Sequence, residues 1–455
     1  MLYQDSAEDV ELSRDAVQGE LERILASAKF ARAKRLRSLL RFTVTQTLQG
    51  NADSLKEYVI GTEVLDKPET YDPRNDSLVR VLANRLRGKL KEYYSNGGSN
   101  DPLVIEFPKG RYIPKFHRRE HLDSEIQKKL RARNACSFGR FLATRLSEPV
   151  LEEAAARFEE AVDSDPGFAP AHAGLATVYA FQAFLGFRRP KVLWPMVRAR
   201  AEAARLLDEM CSEAHLCLGL VSAFQDRNWK DAEACFLKAM ERDTFSSAGH
   251  MWLALASRIP VGRPADPEFA RAKDLVPAPF LEEAGLLSLY FAGRYDQMLE
   301  RTTAPADSVL LPDWRPWLKS CALAALGRFP EAIETLEQVS QPTRRLTAML
   351  GYLYGMAGHR DRAKEAMAHC VARREQGEWV GNYELALIQI GLGRPTEALA
   401  LLAEAVREKE PWVAFLSVDP RFTEFRGTPD FIGLTEPAAS GIVPVYARHG
   451  APVHV

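Results

Sequence analysis

At 455 residues the chain is too long for one ordinary core, so two or more domains are expected. Its 46% apolar and 27% charged residues are the shares of a soluble globular protein. The net charge of −1 conceals an asymmetry: residues 29–119 hold about nine more Lys and Arg than Asp and Glu, whereas 1–28 and 120–455 are each acidic by about five. Positive potential is thus concentrated in one domain, as a polyanion-binding module needs.

The first residues, MLYQDSAEDVEL, are acidic and lack an apolar core. They exclude a signal peptide at this end and predict a disordered stretch over 1–12. Ser13 caps a first helix with Val17, Leu21, Ile24 and Leu25 on one face. A second helix turns Leu36, Leu39, Leu40, Thr43, Val44 and Leu48 inward and stops at Gly50, with Lys34, Arg35, Arg37 and Arg41 outward. Ser54 and Glu57 have the spacing of a capping box for a third helix, which Gly61 is placed to break.

The next stretch, NDSLVRVLANRLRGKLKEYY, is the most informative. Val79, Leu82, Ala83, Leu86, Leu90 and Tyr93 fall on one helical face, while Arg80, Asn84, Arg87 and Lys91 form a stripe on another side, flanked by Arg85 and Lys89. The apolar face needs a core to pack on, and the cationic stripe cannot be buried unpaired. Leu103, Ile105 and Phe107 then alternate as in a strand, and Lys109-Gly110 predicts the turn of a hairpin whose basic tip continues to Arg111. A basic helix followed at once by a basic-tipped hairpin is the layout of a winged helix, with the helix suited to the major groove and the hairpin to the phosphates. The module is expected to span residues 13–117.

VRVLANRLRGKL followed by IEFPKGRYIPKF resembles the end of OmpR-type winged-helix effector domains, and more closely the bacterial regulators in which such a domain precedes tetratricopeptide repeats. The motif covers about forty residues. The tip departs from the usual R-G-x-G-Y, being PKGRY, and no receiver domain precedes it, so the resemblance implies DNA binding without phosphorylation control. It implies Arg80, Asn84, Arg85, Arg87 and Lys91 on the helix, with Lys109 and Arg111 on the wing, as contacts to double-stranded DNA. Base chemistry assigns Asn84 to an adenine edge and Arg87 to a guanine.

Residues 118–134 are highly charged and read as a linker, containing a short helix at most and too polar to cross a bilayer. Beyond them a repeat emerges. Ala154 with Phe158, Leu175-Ala176 with Tyr179, Leu218-Gly219, Ala265 with Phe269 and Pro277, Leu286-Leu287 with Tyr290, and Leu350-Gly351 with Tyr354 and Gly358 match parts of one signature. Ala232, Ala265, Ala332, Ala363 and Ala398 are spaced by 33, 67, 31 and 35 residues, so the unit is about 34 residues, a helix pair. This stretch resembles tetratricopeptide repeat proteins. The expected fold class is mainly α: a winged helix (three helices plus a β-hairpin wing), then an α-α superhelical repeat solenoid over 135–436, its end capping the core, and a disordered tail at 437–455.

His172, His215 and His250 recur where that signature has Trp, but repeats two helices wide keep them too far apart to share a metal, so they read as packing residues. Trp194 reads as core or as an exposed anchor. Six cysteines without paired spacing suit a reduced cytosolic protein. No catalytic motif is recognisable, and neither enzyme activity, a cofactor, a metal nor a membrane partner is expected. The expected function is a cytoplasmic DNA-binding transcriptional regulator whose repeats bind a protein, peptide or small effector on their concave face. The alternative is a repeat scaffold that uses its winged helix to bind protein.

Overall fold

A computed structural model describes residues 13–244, 246–275, 280–303 and 313–435, without the side chains of 120–123. The expectations of disorder for 1–12 and 437–455, and the repeat position assigned to Pro277, lie outside the described residues. The chain is mainly helical with one small two-stranded sheet, and it divides into two units, Met1–Lys129 and Leu130–Val455. Among the described residues no helix is long and apolar enough to cross a membrane.

In the first unit α1 (Arg14–Ala26) starts where the Ser13 hydroxyl accepts the Ala16 N–H at 3.2 Å, and it buries Val17, Leu21, Ile24 and Leu25. A short α2 (Ala28–Ala31), not anticipated from the sequence, adds Phe30 to the core before α3 (Lys34–Leu48). The capping box does not form. Ser54 ends a 3-10 turn and donates to the Asn51 carbonyl, and α4 (Glu57–Leu65) begins after Lys56 with no side-chain cap. The local turn has claimed the hydroxyl that the box required. Nor does Gly61 break α4, because it lies buried beneath the Tyr71 ring.

The fifth helix, α5 (Leu78–Tyr94), buries all six residues of its apolar face. Its first free N–H, on Leu78, is taken by the Asp76 carboxylate at 2.9 Å rather than by Ser77. β1 (Leu103–Glu106) pairs antiparallel with β2 (Lys115–Arg118), Ile105 opposite Phe116. The Lys109-Gly110 turn is present, but it sits within an eight-residue connection, 107–114.

Residues 118–134, which composition reads as a linker, are helical almost throughout: α6 (Arg119–Ala143) runs through them, and the division between units falls inside it. Its buried side is mostly small, Ala132, Ala135, Cys136 and Gly139 with Leu142 near its end, and its charges find local partners such as Glu125 with Lys128 at 3.3 Å. Such a helix shows no broad apolar stripe for periodicity to detect.

In the second unit α7 (Glu148–Ser164) is followed by successive helix pairs. They are α8 (Ala169–Phe184) with α9 (Pro190–Leu207), α10 (Ser212–Phe224) with α11 (Trp229–Arg242), and α12 (Ser247–Leu253) with α13 (Asp266–Lys273). Then come α14 (Leu281–Phe291) with α15 (Tyr295–Thr303), α16 (Trp314–Ala325) with α17 (Phe329–Glu337), α18 (Arg344–Met356) with α19 (Arg360–Glu375), and α20 (Asn382–Gly391) with α21 (Pro395–Arg407). Each first helix packs on its own partner and on the first helix of the next pair. Gly293, Gly327, Gly358 and Gly393 end four of the first helices with φ between 71° and 83°, a conformation that glycine adopts without strain. Ala232, Ala332, Ala363 and Ala398 each occupy the fourth position of a second helix and are fully buried. Ala265 instead lies just ahead of α13, after a π turn at Ala254–Arg258 that displaces the register.

The end of the chain does not simply cap the stack. From Glu408 to α22 (Pro429–Thr435) it runs along the first helices, which we call the inner side. Arg189 pairs with Glu408 at 2.9 Å, and the Trp194 indole, buried and no exposed anchor, donates to the Lys409 carbonyl at 3.1 Å. Trp412 packs on Phe184, Trp317 and Tyr383 with ring centroids 5.8, 5.4 and 6.3 Å away, while Phe415 stacks on Phe291 at 4.9 Å. Arg345 lies over Trp314 at 4.3 Å and is held by the Leu185 carbonyl. Asp419, fully buried, accepts from Tyr383 at 2.5 Å and Arg421 at 2.6 Å. Glu410 receives the Asn382 and Tyr383 N–H groups at the start of α20, and burial, then Glu384, pushes its carboxyl up to about 8.

Candidate nucleic-acid interface

The face that α5 leaves uncovered is defined by what its other sides touch. Val79, Leu86 and Leu90 are sunk in the core with α1, α3 and β1. At its C-terminal end Tyr94 accepts the Ile105 N–H at 2.8 Å and donates to Glu20 at 3.1 Å, while Tyr93 donates to Asp101 at 2.6 Å. These bonds set α5 against the hairpin. Glu20 is wholly buried, and burial first, then the Asp101 charge, pushes its carboxyl up to about 7, although Arg23 stands 2.7 Å away.

The seven residues expected at the interface separate into two groups. Arg80 is tied back to Glu57 at 3.1 Å and to the Pro73 carbonyl at 2.8 Å. Arg87 is turned toward the hairpin connection, where its guanidinium donates to the carbonyls of Phe107 at 3.0 Å, Pro108 at 2.8 Å and Arg111 at 3.2 Å and covers the Phe107 ring. Its remaining nitrogen donates to the Asn84 side-chain oxygen at 2.6 Å, so Asn84 too is oriented from within. Most of the donors that would read a guanine are already engaged.

Arg85, Lys91, Lys109 and Arg111 form the other group. All four are exposed, and none has a side-chain hydrogen bond or ion pair among the described residues. Arg85 and Lys91 share the open face of α5 with Asn84, Val81 and Gly88, and Lys109 and Arg111 sit on the connection that Arg87 fixes to that helix. The arrangement is a convex, cation-bearing helix face with a basic loop beside it, able to meet phosphates with the charges and base edges with the middle of the helix.

Sequence reasoning missed Val81. It is 40% exposed on the polar side, out of phase with the buried Val79 and Leu82, and that phase was the available signal. The three repeat histidines keep to separate partners, His172 near the Pro166 carbonyl at 2.9 Å, His215 near the Glu209 carbonyl at 3.4 Å and His250 on Glu268 at 2.6 Å. Among the described residues no three His, Cys, Asp or Glu side chains converge as a metal site. No protein-family profile matches the chain, and no curated protein matches it.

Proposed function

We propose that the chain is a cytoplasmic DNA-binding transcriptional regulator. In it the first unit acts as a winged helix and the second as a tetratricopeptide-type solenoid that takes up an effector and alters DNA binding. The observation that carries this reading is the set of four cations, Arg85, Lys91, Lys109 and Arg111, which have no side-chain partners among the described residues and stand beside a helix face of modest, groove-compatible side chains. Desolvating them is unfavourable unless an anion replaces the water, and a duplex supplies anions at a regular spacing. Arg87 and Arg80 then act as positioning residues that hold the loop and α4 against α5, with Asn84 and Val81 facing the bases.

Fluorescence anisotropy of the full chain on a duplex at several salt concentrations tests this. About four phosphate contacts predict a slope of log affinity against log salt near −4, at about −0.9 per contact. A slope near zero removes DNA from the account. A scaffold role has one observation in its favour: Leu130, Phe138 and Phe141 stand 52%, 44% and 54% exposed on α6, an apolar strip that a protein partner would cover.

A further inference from the structure

Within the second unit two loops far apart in the sequence bound an open cleft of about 490 Å³. That volume lies within the range of small-molecule sites. One loop carries Phe187, Arg188 and Arg189 between α8 and α9. The other carries Gly377, Glu378 and Trp379 between α19 and α20, with Arg374 reaching in from the last turn of α19. Both loops are fixed in place. The Leu185 carbonyl receives Arg344 at 3.3 Å and Arg345 at 3.1 Å, both from α18. Gly377, at φ 91°, reverses the chain after α19, and Arg374 donates to the Val380 carbonyl at 2.7 Å and to the Asn382 side-chain oxygen at 2.9 Å.

Three arginines line the cleft against one carboxylate, and the carboxylates close by are already taken. Glu408 holds both Arg189, at 2.9 Å, and Lys191, at 3.4 Å. Glu378 holds Arg373 at 3.2 Å and has Arg344 at 3.7 Å behind it. Neither has charge left for Arg188 or Arg374. Arg188 is exposed and has no hydrogen bond or ion pair among the described residues; Glu148 senses its charge, but lies 4.0 Å from Arg344. Arg374 is the more telling case. Its bonds all go to neutral oxygens, its Nη1 has no acceptor yet is not sealed from solvent, and burial pushes the guanidinium down from its ordinary value. Glu410 and Glu384 oppose that shift without bonding to it, and Glu410 keeps its proton up to about 8. The uncompensated charge in the cleft is therefore positive.

Two rings stand beside these cations. Trp379 is half-buried, with the Arg189 guanidinium 6.0 Å from its ring centre, and Phe187 has that of Arg344 at 5.5 Å. An indole that is only partly covered offers a flat apolar surface to a planar ligand. An ammonium entering the cleft would meet like charge, and a neutral molecule would strip water from Arg188 and Arg374 without replacing it.

We propose that this cleft binds a small organic anion, a carboxylate or phosphate carried on a planar aromatic body. Arg188 and the free nitrogen of Arg374 meet the anion, and Trp379 stacks on the ring. The site stands on its own geometry; calling its ligand the effector rests on the reading of the chain as a DNA-binding regulator.

Isothermal titration calorimetry of the full chain with 1-naphthylacetate, 1-naphthyl phosphate, 2-(1-naphthyl)ethanol and 2-(1-naphthyl)ethylamine tests the proposal. Each of the two anions is expected to bind one per chain, about ten-fold or more tighter than the alcohol or the amine, the ratio that one charge-assisted hydrogen bond supplies. Arg188→Gln should bring both anions close to the alcohol and leave the alcohol unchanged. Trp379→Leu should weaken 1-naphthylacetate more than it weakens cyclohexylacetate, which has no flat ring to stack. Lys230→Gln, which removes an exposed cation of α11 outside the cleft, should change nothing. Arg374 is left intact because it also holds the Val380 carbonyl, and circular dichroism melting confirms that each variant is folded. No binding of either anion, equal or tighter binding of the amine, anion binding that survives Arg188→Gln, or an equal loss in Lys230→Gln overturns the site. If Arg188→Gln weakens duplex DNA and leaves 1-naphthylacetate alone, the cleft belongs to a nucleic-acid surface and the small-molecule assignment falls. Anion binding that leaves affinity for duplex DNA unshifted upholds the site and overturns its use as an effector pocket. Absence of DNA binding in the unliganded chain would instead overturn the regulator reading and leave the site standing.

Discussion

The two units both contain many arginines and use them in opposite ways. Along the inner side of the second unit Arg189, Arg345 and Arg421 are held by Glu408, by the Leu185 carbonyl with three tryptophan faces, and by Asp419. In the first unit Arg80 and Arg87 are held in the same manner, but Arg85 and Arg111 beside them have no side-chain partner among the described residues. A count of positive charge makes no distinction between these cases. What marks a candidate surface is a cation whose neighbours have already chosen partners and which still has none.

The largest expected effect lies where an arginine is most completely committed. Asp419 and Arg421 are 0% and 5% exposed, and removing one partner leaves the other charged and buried. Asp419→Ala should cost the second unit about 3–5 kcal/mol. All seven tryptophans lie beyond residue 130, so tryptophan fluorescence during guanidinium unfolding follows that unit alone. Arg85→Ala, followed instead by amide exchange in α1 and β1 of its own unit, should change stability by less than about 0.5 kcal/mol. Similar losses in both variants would end the distinction between committed and open arginines.

The next test moves to the open set. Arg85, Lys91, Lys109 and Arg111 changed together to Ala should flatten the salt dependence of DNA affinity by about three to four units of slope, with the thermal melt unchanged. A slope that stays steep would transfer the contacts to α3, whose Arg35 is also exposed.

How much of this was legible in the sequence follows the range of the interactions. Periodicity placed the buried face of α5 residue by residue, because each position is decided by its own helix turn. The fourth-position alanines gave the spacing of the helix pairs, and the doubled interval between Ala265 and Ala332 arose because the buried Met298 holds the same place in α15. Arg87 could not be placed. Its polarity put it on the solvent side, and only the fold brings the carbonyls of Phe107, Pro108 and Arg111 over it. The course of residues 408–435 was equally hidden, since contacts such as Arg189 with Glu408 and Arg227 with the Thr435 carbonyl join positions about two hundred apart.

A smaller effect is the response of the first unit to pH. Glu20 ordinarily titrates near 4.5 and is raised to about 7 in the folded first unit. Between those values the unfolded chain has lost the proton and the folded one keeps it, so stability falls as pH rises through the window and levels off above it. Glu20→Gln removes the titrating group while an amide oxygen still accepts from Tyr94. The variant should therefore lack this fall and be more stable than the parent at pH 8 by about 1–3 kcal/mol. Amide exchange in α1 and β1, corrected for intrinsic rates, measures it. A parent protein whose protection of these segments is flat from pH 5 to 8 would show that Arg23 neutralises Glu20 fully.

The smallest expected effect concerns the one apolar side chain on the open face of α5. Val81 is 40% exposed between Arg80 and Asn84, and nothing in the core requires it there. Replacing it by Ala should leave stability within about 0.5 kcal/mol, because an exposed helix position gains as much in helix propensity as it loses in packing. If α5 lies in a major groove, the two Val81 methyls are of the size and polarity to meet a thymine methyl. Covering a group of that size contributes about 0.8 kcal/mol, so the parent should prefer thymine over uracil at one position of a selected site by about that amount, and Val81→Ala should not. The salt slope must be the same in both proteins, since no charge has changed. An altered slope, or equal loss on a scrambled duplex, would mean that the substitution had shifted the helix rather than removed a contact. Val81 would then belong with Arg87 among the residues that position the face.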